Sequence, residues 1–137
     1  MSEAAVADTP RRILLAEDND VNRIIATKLL EKRGHLVIAV ENGALAVDRT
    51  ATDQFDIVLM DVSMPVMDGL TATAHIRERE HASGGHLPIV AVTAHALDQD
   101  RERCLAAGMD DYLPKPIRSA DLFATVARLG RVHQRVA

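Results

Sequence analysis

The sequence is nearly devoid of aromatic residues: tryptophan is absent, and the 137 residues include one tyrosine and two phenylalanines. A core must therefore be built from aliphatic side chains, alanine and methionine, although hydrophobic residues make up 47% of the chain. Side chains of this size suit strands that are covered by helices. A domain of this length buries roughly two thirds of the surface that its unfolded chain exposes, so it needs neither disulfides nor a structural metal.

Cysteine and long hydrophobic runs are also scarce. Cys104 is the only cysteine, which excludes a disulfide within this chain and a metal site built from several thiolates. A lone thiol is typical of a reducing compartment. No apolar run approaches the roughly 20 residues of a membrane span, and residues 1–10 lack the pattern of an export signal. We therefore predict a cytoplasmic protein without a membrane partner.

Charge of a single sign does not accumulate either. The formal net charge is −4 and both signs are mixed along the chain, so the basic surface typical of nucleic-acid binding is missing. Basic residues concentrate only at Arg128, Arg131 and Arg135. We interpret them as a solvated helix end, where cations complement the helix dipole; DNA binding is the alternative. We predict no nucleic-acid partner.

Short apolar runs alternate with helical patterns and predict an α/β fold. The predicted strands cover residues 13–16, 36–40, 56–60, 89–92 and 111–113. These runs are apolar on both faces, and each is followed by a helix. This pattern predicts a parallel sheet with helices on both sides, and ligands then bind beyond the carboxyl ends of the strands. We expect a flexible leader over residues 1–10, a domain over 11–130 and a C-terminal tail over 131–137.

The predicted helices are bounded by capping residues. Asn19 or Asp20 begins the first helix and Gly34 ends it; a short helix lies near 44–48, and longer ones span 70–80, 97–107 and, capped by Ser119, residues up to Leu129. We expect the first helix to bury Val21, Ile24, Ile25, Leu29 and the Lys28 stem. For the helix over 70–80, we expect Leu70, Ala74 and Ile76 or the Arg77 stem to face inward.

Polar side chains follow four of the predicted strands. Glu17 and Asp18 follow the first, Asp61 the third, Thr93 the fourth and Lys115 the fifth. Because the carboxyl ends of parallel strands meet at one edge of a sheet, we expect these side chains to lie together.

Three carboxylates at one edge repel each other. At about 5 Å separation and an effective dielectric constant near 20, each pair costs about 3 kcal/mol. Either one acid is protonated or a cation binds. Oxygen ligands without cysteine or suitably spaced histidine select Mg²⁺, or Mn²⁺, over zinc. With this cation and Lys115, the net charge of the site approaches zero, so the site can admit a phosphate. Asp61 can attack the phosphorus to form an acyl phosphate, and the Thr93 hydroxyl can donate a hydrogen bond to a phosphoryl oxygen.

These residues resemble the receiver domains of two-component response regulators, over residues 11 to about 130. The shared motif comprises Glu17-Asp18, Asp61-x-x-Met64-Pro65-x-Met67-Asp68-Gly69, Thr93-Ala94 and Lys115-Pro116. The resemblance implies a flavodoxin-like fold, a five-stranded parallel sheet of order 2-1-3-4-5 with helices on both faces.

The resemblance also implies roles for individual residues. Asp61 would accept a phosphoryl group from a histidine of a partner kinase or of a histidine phosphotransfer protein. Asp18, Asp61 and the backbone carbonyl of Ser63 would bind Mg²⁺ directly, and Glu17 would act mostly through metal-bound water. Such a protein is a signalling switch that assists its own phosphorylation and dephosphorylation, not a turnover enzyme.

Further implied roles concern the phosphorylated state. Thr93 and Lys115 would bind the phosphoryl oxygens, the Lys115–Pro116 bond would be cis, and Tyr112 would reorient with Thr93. The helix over 97–107, the fifth strand and the last helix would form the switching surface. The protein would be a monomer or a phosphorylation-dependent dimer.

The amino-acid sequence of residues 16–23 and 92–96 is most similar to that of receivers of hybrid histidine kinases and phosphorelays, and some single-domain receivers share it. In this family, the positions of Ser63 and His95 tend to tune the loss of the phosphoryl group. Many phosphorelay receivers carry a longer polar side chain than Ser63, which leaves the phosphoryl lifetime open.

Two other functions remain as alternatives. One is a magnesium-dependent phosphohydrolase with Asp61 as nucleophile, although such enzymes commonly carry a second acid where this chain has Ser63. The other is an unphosphorylated scaffold that binds its partner constitutively. Taken singly, Glu17-Asp18 could be a solvated turn and Lys115 an exposed lysine; their combination favours the receiver interpretation.

Overall fold

The computed structural model describes residues 9–94 and 98–130, and for residue 98 only the backbone. The strands are β1 (Arg12–Ala16), β2 (Leu36–Val40), β3 (Ile57–Asp61), β4 (Ile89–Thr93) and β5 (Asp111–Pro114). The helices are α1 (Asp20–Lys32), α2 (Gly43–Thr52), α3 (Gly69–Ser83), α4 (Asp98–Ala106) and α5 (Ser119–Leu129). The predicted tail over 131–137, most of the predicted leader and His95 lie outside the described residues.

All five described strands form one parallel sheet in the order β2-β1-β3-β4-β5, which confirms the expected order. The register pairs Ala16 with Met60 and Asp61 with Val92. The carboxyl ends of β1, β3 and β4 therefore stop at nearly the same level, and the loops that follow them meet at one edge.

The sheet separates two apolar cores. On one face, α1 and α5 pack through Ala26, Leu30, Leu122 and Val126. On the other face, α2, α3 and α4 contribute residues such as Ala46, Ala72, Ile76 and Cys104. The central strands β3 and β4 are buried throughout, as expected for strands covered on both sides.

The predicted inward face of α1 was wrong for Val21, Ile24 and Ile25, whereas Leu29 packs against the core as expected. Val21 is 63% exposed and Ile24 and Ile25 are each 52% exposed, whereas α1 buries Ala26 and Leu30. The helix carries apolar residues on two adjacent stripes, and the face of the sheet covers the stripe that contains Ala26 and Leu30. The other stripe is left on the surface.

Two smaller expectations were also wrong. Ala74 is exposed, because α3 turns Ala72, Thr73 and Ile76 toward the core. Ser119 is the first residue of α5 and not its cap; Arg118 occupies the capping position without a side-chain hydrogen bond.

Side-chain caps do begin three other helices. Asn19, Asn42 and Asp68 accept hydrogen bonds from main-chain N–H groups in the first turns of α1, α2 and α3. These caps fix where each helix starts and therefore the length of the loops at the carboxyl edge of the sheet.

At the amino ends of the strands, Arg11 connects the start of β1 with the end of α5. Its buried guanidinium donates to the carbonyl oxygens of Thr9, Ala127 and Gly130, so the chain entering β1 is joined to the carboxyl end of α5. A cation at this position complements the dipole of α5. Within the described residues, no helix combines the length and the apolar composition that a bilayer crossing requires.

The loop after β3 contains a strained turn. Met67 N–H donates to the carbonyl of Pro65 at 2.7 Å, and Val66 between them has φ 69°. A three-residue turn with positive φ is rare, and it is costly for a β-branched residue. The Val66 side chain is 82% exposed, so its packing does not offset this strain.

We expect Val66→Gly to raise the free energy of unfolding by about 1 kcal/mol, because strain relief outweighs the added flexibility of the unfolded chain. Val66→Asn should give a smaller gain, since asparagine tolerates positive φ better than valine. Urea unfolding monitored by circular dichroism measures both. A loss of stability in both variants would contradict the assignment of strain.

Candidate functional site

The carboxyl edge of the sheet brings the predicted polar residues together. Asp61 ends β3 and Thr93 ends β4, whereas Glu17 and Asp18 directly follow β1 and Lys115 directly follows β5. Carboxylate oxygens of Glu17, Asp18 and Asp61 all lie within 4.8 Å of one another. The Lys115 ammonium lies 2.9 Å from Asp61 Oδ2 and 3.3 Å from Glu17 Oε1.

Asp61 is held at the bottom of the site. It is 2% exposed, and its Oδ1 accepts a hydrogen bond from the N–H of Ser63 at 3.1 Å. Gly69 closes the loop behind it, donating to the carbonyl of Val62. A Cβ at Gly69 would lie 2.3 Å from the carbonyl oxygen of Asp61, so only glycine allows the loop to approach this closely.

Glu17 is anchored through both backbone and side chain. Its N–H donates to the carbonyl of Val40, and its Oε2 accepts from the N–H of Asn19 at 3.0 Å. Glu17 is 3% exposed, whereas Asp18 is exposed. The site therefore has a buried floor, formed by Glu17 and Asp61, and a solvent-facing acid at its rim.

Thr93 and Lys115 are joined by a backbone hydrogen bond. Lys115 N–H donates to the Thr93 carbonyl at 2.8 Å, and the Lys115–Pro116 peptide is cis, as the resemblance implies. Thr93, Asp18 and Ser63 line an open cleft of about 640 Å³. This volume accommodates a phosphoryl group and the atoms that deliver it.

Burial dominates the electrostatics of Asp61 and raises its pKa to about 6. The hydrogen bond from Lys115 acts in the opposite direction, and the nearby charge of Glu17 adds to the rise. Burial lowers the pKa of Lys115, but its hydrogen bond to Asp61 and the two carboxylate charges outweigh burial, so the net shift is upward. Lys115 is therefore an ammonium at neutral pH.

The donor set fits a hard divalent cation. Three carboxylates converge with a single ammonium, so the formal charge of this cluster stays negative when the acids are ionised. Such oxygen ligands are preferred by Mg²⁺. Bound Mg²⁺ would supply the missing positive charge.

A family comparison matches this architecture. The model of the response regulator receiver domain matches residues 13–127. The chain belongs to the response regulator receiver domain family. It is thus a receiver domain of two-component signalling, and the site at the carboxyl edge lies inside the matched region.

Curated relatives of this receiver domain are histidine kinases. The chain is 46% identical over 121 residues to the sensor protein GacS of Pseudomonas syringae, covering 85% of the chain and 13% of that protein. It is 42% identical over 122 residues to the hybrid signal transduction histidine kinase I of Dictyostelium discoideum, covering 85% of the chain and 7% of that protein. The chain therefore spans a small part of these relatives.

Solved receiver domains are similar in structure. The receiver domain of a sensor histidine kinase from Pseudomonas aeruginosa, with magnesium coordinated in its active-site cleft, has a TM-score of 0.80 and 42% identity, covering 88% of this chain and 97% of that chain. The receiver domain of yeast Ssk1, solved with the histidine phosphotransfer protein Ypd1, has a TM-score of 0.85 and 28% identity, covering 90% of each chain.

Other contacts near the site were not predicted from the sequence. The Arg101 guanidinium lies over the half-buried Tyr112 ring, 5.4 Å from its centre, and Arg23 donates to the carbonyl of Glu17. The sequence offers one indication of the Arg23 contact, because a basic residue in the first turn of a helix is disfavoured by the helix dipole. The spacing of Arg101 and Tyr112 carries no comparable signal.

We expect Asp61→Asn to stabilise the metal-free receiver domain at neutral pH. Because burial raises the pKa of Asp61 from its ordinary value of 3.8 to about 6, the folded state binds more protons than the unfolded state between these two pH values. The contribution of Asp61 to stability is therefore present at low pH and is lost as pH rises through about 6. Asp61→Asn does not undergo this loss, so at neutral pH its free energy of unfolding should exceed that of the wild type by on the order of 1–3 kcal/mol.

Urea unfolding between pH 4.5 and 7.5 in the presence of EDTA tests this expectation. The difference in free energy of unfolding between variant and wild type should grow with pH and level off above about pH 7. A difference that does not depend on pH would contradict the raised pKa.

Proposed function

We propose that Asp61 is the phosphoacceptor of this receiver domain and takes its phosphoryl group from a phosphohistidine donor. The observation that carries the proposal is a buried carboxylate at the end of β3 with an ammonium 2.9 Å away and two further acids beside it. A carboxylate oxygen of Asp61 forms the new P–O bond. The P–N bond of the donor breaks, and its electron pair remains on the imidazole.

Mg²⁺ is the cofactor of this proposal. Asp18, Asp61 and the backbone carbonyl of Ser63 would hold it directly, with Glu17 acting mostly through metal-bound water. When bound, the ion neutralises charge on the transferring group. Mn²⁺ prefers similar oxygen ligands and is expected to substitute.

Thr93 and Lys115 are proposed to bind the phosphoryl oxygens. Phosphorylation replaces a charge of about −1 on Asp61 by about −2, and Lys115, already hydrogen-bonded to Asp61, pairs with this larger charge. Thr93 is joined to Lys115 through the backbone, so both residues respond together. The domain thereby assists its own phosphorylation and dephosphorylation without a separate catalytic domain.

The proposed switch combines Thr93 with Tyr112. The Tyr112 ring packs against the core beneath α4, and Arg101 of α4 covers its face. A movement of Tyr112 would therefore change the surface formed by α4, β5 and α5. We propose that this surface signals onward, in a monomer or a phosphorylation-dependent dimer in the cytoplasm, without nucleic acid or a membrane as partner.

We expect Asp61→Asn to abolish labelling by a phosphorylated histidine phosphotransfer protein and by acetyl phosphate, because the amide lacks a nucleophilic carboxylate. Asp68→Asn is the matched control: the same chemical change is made in a neighbouring acid, and asparagine caps a helix as well as aspartate. Phosphate-affinity electrophoresis measures both variants. Labelling of Asp61→Asn at the wild-type level would refute the assignment of the acceptor.

The donor protein is proposed to dock on the exposed stripe of α1. Val21, Ile24 and Ile25 form this stripe, and α1 begins two residues after Asp18. Ile25 also lines a cleft of about 350 Å³ whose walls include Glu17 and Lys115. Exposed apolar side chains next to a reactive site are typical of a protein-binding surface.

We expect Ile24→Ser to slow phosphoryl transfer from a protein donor at least about tenfold, because an apolar contact is lost. Labelling by acetyl phosphate should be unchanged, since this small donor does not need α1. Leu45→Ser, on α2 at the other face of the sheet, is the control, since Leu45 is 43% exposed.

Phosphorylated Ypd1 serves as the protein donor, and rates are compared at concentrations below saturation. Equal slowing of the Ypd1 and acetyl phosphate reactions in Ile24→Ser would contradict docking on α1. Equal effects of Ile24→Ser and Leu45→Ser on the rate of phosphoryl transfer from Ypd1 would also contradict docking on α1.

A further inference from the structure

We infer that Arg23 is a positioning residue of the metal site, an inference that rests on the proposed function. Arg23 lies in the first turn of α1, where a positive charge is opposed by the helix dipole. Its side chain is nonetheless largely covered, with 18% exposed. A cation in an electrostatically unfavourable position indicates a compensating interaction.

The compensating interaction is with the acidic loop. Arg23 Nη1 donates to the main-chain carbonyl of Glu17 at 2.9 Å, and Nη2 pairs with the carboxylate of Asp20. The carbonyl belongs to the peptide group that joins Glu17 to Asp18. Because the guanidinium is a rigid fork, two partners fix its orientation, and α1 thereby fixes the plane of this peptide.

The orientation of this peptide determines where Asp18 points. Glu17 is anchored on both sides by other contacts, but the Asp18 side chain is exposed and depends on its backbone for its place in the cluster. Mg²⁺ requires nearly ideal octahedral coordination. A rotation of the Glu17–Asp18 peptide would therefore weaken binding, although Arg23 does not touch the ion.

Charge and positioning predict opposite effects at this residue. Arg23 adds a positive charge near the carboxylates, so Coulomb repulsion alone predicts that its removal tightens Mg²⁺ binding. Loss of positioning predicts weaker binding. The sign of the change in affinity therefore separates the two explanations.

The test is a Mg²⁺ titration of ¹⁵N-labelled protein at pH 7.5, with the amide resonance of Ser63 as the reporter. Arg23→Met keeps an unbranched stem and removes the guanidinium, and we expect the Kd for Mg²⁺ to rise about tenfold, as for other residues that orient metal ligands. Arg33→Met is the matched control. It removes the same charge at the other end of α1, and its Kd should stay within about twofold of wild type.

A change in stability alone would shift the urea midpoint and leave the Kd of the folded protein unchanged, so both quantities are measured. If Arg23→Met does not fold, Arg23→Gln replaces it under the same criterion. A Kd that is unchanged or lower in the folded variant overturns the inference.

The proposed function has a separate outcome. It fails if Asp61→Asn is still labelled, whatever Arg23 does. A wild-type protein whose Ser63 resonance does not respond to Mg²⁺ would overturn both the inference and the proposed metal site.

Discussion

Repulsion among three carboxylates at the carboxyl edge of the sheet is the constraint on which the site depends. Folding places Glu17 and Asp61 on a buried floor and Asp18 at the rim, and the Lys115 ammonium pairs with the two buried acids. Burial is the main cause of the raised pKa of Asp61, and the nearby charge of Glu17 adds to it. The apolar layers on both faces of the sheet supply the energy that holds the acids together.

The same repulsion relates stability to signalling. In the proposed function, Mg²⁺ would offset part of the repulsion among the carboxylates and would thereby stabilise the folded domain. Because burial raises the pKa of Asp61 to about 6, ionisation of this carboxyl opposes folding at neutral pH, and this is the cost that the proposed Mg²⁺ would offset. Such local cost at a functional site is common in proteins.

Much of this arrangement could be predicted from the sequence. Glu17, Asp18, Asp61, Thr93 and Lys115 each end or follow a short apolar run, and parallel topology alone brings such positions to one edge. The rule needs no knowledge of side-chain packing. For that reason the meeting of these residues could be predicted from the sequence, whereas the strand order followed from the resemblance to receiver domains.

Details that depend on packing were not accessible. The face of α1 was predicted only in part, because its sequence offers two apolar stripes and the neighbouring elements decide which one is covered. The contact of Arg23 with the Glu17 carbonyl depends on the path of a loop, and the strained turn at Val66 violates local preference. Periodicity contains no information about either.

The connection made by Arg11 has a consequence for tethering. Because its guanidinium joins Thr9 to the end of α5, both attachment points of the domain emerge together, at the edge of the sheet remote from Asp61. A polypeptide fused at either point would begin at the edge of the sheet opposite the reactive site. The attachment of the domain to a longer chain would therefore lie away from the surface that a phosphoryl donor approaches.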